Sequence, residues 1–209
     1  ADEVVEAALR WTEKTGWEEI GLISLASCDY SALGDVVERL KPALRERRVR
    51  LSLPSLRMDA FSVQLAAALE PVKRGGLTFA PEAGTQRMRN VINKGVSEDD
   101  IETTLEAAFA HGWERIKLYF MMGLPTETRE DLEGIAKIAE RAAEIGRKHR
   151  KRAEIAVSVA GFVPKPHTPF QWERQASVAE LSERGRFIKS LVSNRRVTVR
   201  YHEIGRAHV

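Results

Sequence analysis

The side chains that could bind or react gather in short segments, each directly after an apolar run. Ser27-Cys28-Asp29-Tyr30 follows the run 20–26, and Pro54-Ser55-Leu56-Arg57 follows 49–53. Pro81-Glu82-Ala83-Gly84-Thr85 follows 77–80, Gly123-Leu124-Pro125-Thr126-Glu127-Thr128 follows 116–122, and Val163-Pro164-Lys165-Pro166-His167-Thr168-Pro169 follows 155–162. Together they supply carboxylates, an arginine, hydroxyls and backbone-bending Gly and Pro, which is the makeup of a site for a polar ligand. Glycine lets a backbone approach a ligand closely, and proline sets loop shape without offering a donor. For any one segment alone an ordinary turn is the favoured reading. It is their recurrence after successive runs that points to a ligand. An internal disulfide framework and a CxxC-type metal site are excluded, because the chain has a single cysteine, Cys28. No metal ligand set is read from these residues.

The elements that must position these segments alternate throughout. The runs 20–26, 49–53, 77–80, 116–122, 155–162 and 197–201 are rich in β-branched and aromatic residues and nearly continuous, as in strands of a buried parallel sheet. Helical periodicity fills 4–15, 33–46, 60–70, 98–111, 129–149 and 178–193. Ser97 with Asp100, and Thr128 with Asp131, mark two helix starts, where such pairs satisfy first-turn amides. The economical architecture is a (β/α) barrel, complete or partial, with a doubly wound open sheet as the runner-up. In either, ligands lie at the carboxyl ends of the strands, where the chemistry-bearing segments fall. The pattern opens on a helix, and 201–209 begins something new, so the chain reads as one domain of a longer protein with its opening strand missing.

The 209 residues, 43% hydrophobic and 30% charged, have the balance of an ordinary domain able to bury a core. No stretch approaches 18 apolar residues and no signal peptide opens the chain, so a cytoplasmic protein is expected. A net charge of +3 is unevenly placed, with basic runs at 45–48, 147–152 and 195–196. Solvated helix ends are the favoured reading of these runs; an RNA groove is the other.

The motifs carry a family likeness. The stretch from Phe79-Ala80-Pro81-Glu82-Ala83-Gly84-Thr85 to Asn93-Lys94-Gly95 resembles the fourth-strand segment of radical S-adenosylmethionine (SAM) enzymes. Met122-Gly123-Leu124-Pro125-Thr126-Glu127-Thr128 resembles their fifth-strand segment, G-L-P-G-E-T, with Thr126 where glycine is usual. The stretch from Phe162 to Trp172 is similar to the sixth-strand ending of a branch whose members place a cobalamin-binding-like domain upstream.

The resemblance implies a partial (β/α)6 TIM-type barrel with outer helices. It also implies SAM and a [4Fe-4S] cluster, with a reductant for the cluster and cobalamin as a further cofactor of the whole protein. The three cluster cysteines would precede Ala1, so the chain alone should be inactive. By resemblance Glu82 holds the SAM ribose hydroxyls, the alternative being a cap on the following helix. Lys94 neutralises the SAM carboxylate or serves as a helix-dipole partner. Ser27 and Asp29 contact the SAM amino group or form an Asx turn. Met122, Gly123 and Leu124 flank adenine, although methionine also fills cores, and Phe162 and Val163 close the other side. Arg57 and His167 stand as substrate candidates. The expected function is reductive cleavage of SAM to a 5′-deoxyadenosyl radical acting on an unknown substrate, an oxidoreductase or transferase activity. The alternative is a basic module that binds RNA or a protein partner without catalysis.

Overall fold

The computed structural model describes residues 1–22, 30–52, 58 and 76–201. Its elements alternate in chain order: α1 (Asp2–Thr15), β1 (Glu19–Gly21), α2 (Leu33–Glu46), β2 (Arg50–Ser52), β3 (Leu77–Glu82), α3 (Gln86–Val91), α4 (Glu98–Ala110), β4 (Arg115–Met122), α5 (Arg129–His149), β5 (Glu154–Gly161), α6 (Val178–Leu191) and β6 (Val197–Tyr201). The expected helix 60–70 lies outside the described residues, as does 202–209.

Every pairing is parallel. β3-β4-β5-β6 form one sheet in sequence order, and β1 pairs with β2. Six strands in one curved sheet were expected; among the described residues they pair in two groups. A shared core links the groups: Leu33 and Val37 of α2 join the main cluster, while Val36, Leu40 and Leu44 pack with Val5 and Ala8 of α1. The architecture is an α/β partial barrel with helices outside.

The reading of the strands as buried on both faces needs correction. In β4 the burial alternates, with Ile116, Leu118, Phe120 and Met122 enclosed and Arg115, Lys117, Tyr119 and Met121 more exposed. In β3, Leu77, Phe79 and Pro81 are buried while Thr78, Ala80 and Glu82 are not. The reason lies in coverage. Helices α4, α5 and α6 pack Leu105, Phe109, Ile135, Ala139 and Leu181 against the outer face alone. The other face looks into the barrel, where small and polar side chains can sit.

Local signals set the helix starts. Ser97 accepts the Asp100 amide while the Asp100 carboxylate accepts the Ser97 amide, a capping box that opens α4. The same device at Ser177 and Glu180 opens α6. At α5 the amide and hydroxyl of Thr128 both donate to Asp131, at 2.8 and 2.9 Å.

Candidate cofactor site

The carboxyl ends of three neighbouring parallel strands bring Glu82, Gly123 and Phe162 to one rim. The Phe162 amide donates to the Met122 carbonyl at 2.8 Å, so the β4 and β5 endings are tied directly. Glu82 ends β3 at a break in register with β4, and its backbone is left-handed at φ 70°. A non-glycine residue in that region is uncommon and points to a constrained, specific placement.

Glu82 faces Lys94, whose Nζ lies 3.4 Å from Oε1, and each side chain keeps just over a quarter of its surface exposed (28% and 27%). Glu82 does not play the capping alternative raised by the sequence. The cap of α3 is Thr85, whose hydroxyl accepts the Met88 amide at 3.2 Å, so Glu82 is free of that task. The Lys94 ammonium is turned toward the Glu82 carboxylate. Beside this pair lies a small apolar cluster of Ala83, Met88, Leu124 and Phe162, with Ile92, Met121 and Phe170 against it. Phe162 and Phe170 meet edge to face with ring centroids 6.1 Å apart. A half-buried acid and base beside an apolar shelf suits a ligand that is part charged and part flat.

The methionine pair divides. Met122 is enclosed in the main core, and its carbonyl accepts the Phe162 amide. Met121, one residue earlier and on the opposite face of the strand, is the one that reaches the rim cluster. Gly123 is left-handed at φ 79°, and a Cβ there would come within 3.1 Å of Leu181 and 3.2 Å of Ala176. Val163 is exposed, and His167 is exposed on a turn at φ 61°. Ser27, Asp29 and Arg57 lie outside the described residues.

Four charged residues to which the sequence assigned no part in the site support the rim from beneath. Arg89 is fully buried: Nε donates to the Val96 carbonyl, one terminal nitrogen donates to the Ala83 carbonyl, both at 3.0 Å, and the other pairs with Glu98. It therefore joins the two ends of the segment that carries Lys94. The Asp131 carboxylate, 3% exposed, gathers Thr85, Arg87 and Thr128. Burial raises its proton affinity, but the bonds from Thr85, Thr128 and Arg87 outweigh this and hold the carboxyl below its usual range. Glu127, also 3% exposed, accepts the Gly123 amide and the Arg184 guanidinium, each at 2.8 Å. Burial pushes its carboxyl up, against the Gly123 and Leu124 amides and the Arg184 charge. A faint signal existed for Glu127, an acid four residues after a loop glycine and so within reach of its amide. Asp131 was legible only as the partner of Thr128 at a helix start, and Arg184 carried no signal, because its partner Glu127 is 57 positions away.

Two glycines complete the support. The backbones of Gly84 and Gly134 touch: a Cβ on Gly84 would lie 2.2 Å from the Asp131 carbonyl oxygen and 2.3 Å from the Ile135 nitrogen. The β3 loop is thus pressed onto α5 at a distance only glycine allows.

The residues present do not fit an iron–sulfur cluster. The chain has one cysteine, and among the described residues no group of three or more His, Cys, Asp or Glu could hold a metal ion. Nor, among them, is any helix long and apolar enough to cross a membrane.

The chain is 36% identical over 155 residues to an uncharacterised protein of Methanocaldococcus jannaschii, a match covering 74% of this chain and 32% of the relative. It therefore spans about a third of that relative's length. Its fold is similar to that of coproporphyrinogen III oxidase from Escherichia coli, described as a radical SAM enzyme, with a TM-score of 0.61 at 15% identity over 91% of this chain and 46% of that one. The model of the radical SAM superfamily matches residues 1–139, the span that includes β3, the Glu82–Lys94 pair, β4 and its loop, and so the chain belongs to the radical SAM superfamily.

Proposed function

We propose that this chain is the SAM-binding barrel of a radical SAM enzyme, a single domain, with the cofactor held on the rim formed by β3, β4 and β5. The observation that carries the reading is the Glu82–Lys94 pair beside the Met121, Leu124 and Phe162 shelf. In this reading the Glu82 carboxylate accepts from the ribose hydroxyls and Lys94 faces the cofactor's carboxylate, so binding separates the present ion pair. Met121, Phe162 and Val163 cover the flat apolar part, together with the backbone at Gly123 and Leu124. Ser27 and Asp29 remain proposed partners of the amino group, and Arg57 and His167 of the substrate. Reductively cleaved SAM supplies a 5′-deoxyadenosyl radical. The chain's own residues orient the cofactor and shield it from water.

A [4Fe-4S] cluster of this class takes three thiolates and the chain has one cysteine, so its ligands belong to residues other than these 209. We place the protein in the cytoplasm, where a reductant for such a cluster is at hand.

The test is Glu82→Ala in the full-length protein. Removing charge-assisted acceptors should weaken SAM binding by about one to two decades. The unfolding midpoint should stay within about 0.5 kcal/mol of the parent, since Thr85 already caps α3. Undiminished SAM affinity would take Glu82 out of the site.

A further inference from the structure

The inner face of the β3–β6 sheet is unlike a filled barrel. In a closed barrel the inward positions carry layers of bulky branched side chains. Here one row across the sheet pairs Thr78, Lys117, Ala156 and Thr198, and the next pairs Tyr119, Ser158 and Arg200. These residues are small, polar or cationic. At the amino end of this face lies a cavity of about 450 Å³. Four cations line it, Arg115, Lys117, Arg195 and Arg196, against one carboxylate, Glu154.

The carboxylate is already used, paired with Arg115 at 3.1 Å. Among the described residues Lys117, Arg195 and Arg196 have no acidic partner within ion-pair distance. Lys117 instead donates to the Tyr119 hydroxyl at 2.7 Å and lies 4.5 Å from the ring centroid. Tyr119 thereby holds the ammonium in place without neutralising it. In the same row Thr78 is the direct neighbour of Lys117, and Thr198 lies two strands away beyond Ala156; both threonines line the cavity.

We propose that this cavity binds a phosphate group of the substrate. Four cations against one carboxylate leave a balance of +3 in the lining, which suits a dianion better than a single carboxylate. Cations together with the hydroxyl donors of Thr78 and Thr198 also match a tetrahedral group. The volume falls in the range of small-molecule pockets, which are of the order of 300 to 1,000 Å³, so a small phosphate ester fits it and a folded RNA does not. The assignment rests on reading the rim as the SAM site, because it gives the substrate a second anchor. Lys117 and Met121 are four residues apart on β4, roughly 13 Å. The substrate is therefore an extended phosphate ester, held by its phosphate at the base while its reacting carbon is presented at the rim.

Calorimetry of the full-length protein at low ionic strength, with inorganic phosphate as probe, tests this directly. Phosphate should bind at one site; Lys117→Gln should weaken it about tenfold or more, and Thr198→Val, which removes only a hydroxyl, by a few fold. Both variants should keep the parent's SAM affinity and unfolding midpoint. Phosphate binding unchanged in both folded variants overturns the proposal, as does acetate binding as tightly as phosphate. Tighter binding of a single-stranded RNA oligonucleotide, lost in the same variants, would mark the face as an RNA groove instead and overturn it too. SAM binding in the same preparation is scored separately: its absence sinks the rim reading, whereas absent phosphate binding with SAM bound sinks this one.

Discussion

The two ends of the β3–β6 sheet treat charge in opposite ways. Beneath the carboxyl rim, Arg89, Asp131 and Glu127 are buried and each is bonded to two or more partners. At the amino end, Lys117 and Arg195 are exposed enough to meet solvent and have no acidic partner among the described residues. Buried charge is tolerated only when paired and hydrogen-bonded, so the rim groups are scaffold. Cations left without acids at the other end are available to a ligand. Charge that is satisfied marks what shapes a site, and charge that is unsatisfied marks what the site can hold.

If the rim is a rigid scaffold, the largest effect should come from forcing its closest contact apart. Gly84→Val places a side chain against the backbone of α5, which cannot yield as a flexible side chain would. A loss of about 3 kcal/mol or more in denaturant unfolding is expected. A loss under about 1 kcal/mol would show that the loop and α5 are not pressed together.

Asp131→Asn sharpens the comparison through pH. The folded carboxyl is held below its unfolded value, so its stabilisation is present above the unfolded pKa of about 3.9 and is lost as pH falls through the lower, folded pKa. The variant should be less stable by about 1 to 3 kcal/mol at neutral pH, and the two stabilities should converge as pH falls through the lowered, folded pKa. A deficit independent of pH would assign the effect to packing instead of charge.

The smallest effect should have the opposite sign. Thr126 stands where a glycine was expected from the resemblance, yet its backbone keeps the glycine-like φ of 63°. A β-branched residue is strained there. Thr126→Gly should raise stability by about 1 kcal/mol, the relieved strain less the added freedom of the unfolded chain. A loss would mean that the Thr126 side chain contributes more than its strain costs. The Thr126 carbonyl, which accepts from Arg87 at 3.0 Å, should keep that bond in either case.

Much of the frame was legible. Residues 33–46, 129–149 and 197–201 form the expected elements with the expected ends, because caps and periodicity act between neighbours in the chain. The described motif segments at Glu82, Gly123 and Phe162 fall at one rim for the same reason, since a parallel strand and helix alternation puts successive strand ends side by side. Less of the site could be read. Met121 and Met122 are adjacent and chemically alike, and only the sheet's orientation against α4 to α6 decides that the first reaches the rim and the second fills the core.

By itself, then, the sequence determined the elements, their order and the family, since each of these depends on local propensity or on a string of residues read in line. The tertiary structure decided which face of each strand is covered, that Glu82 and Lys94 meet, that Arg89, Asp131 and Glu127 are buried and tied, and that Lys117 is left without an acid. Those outcomes include contacts between residues as far as 46 and 57 positions apart, and no local pattern encodes the approach of segments that the fold alone brings together.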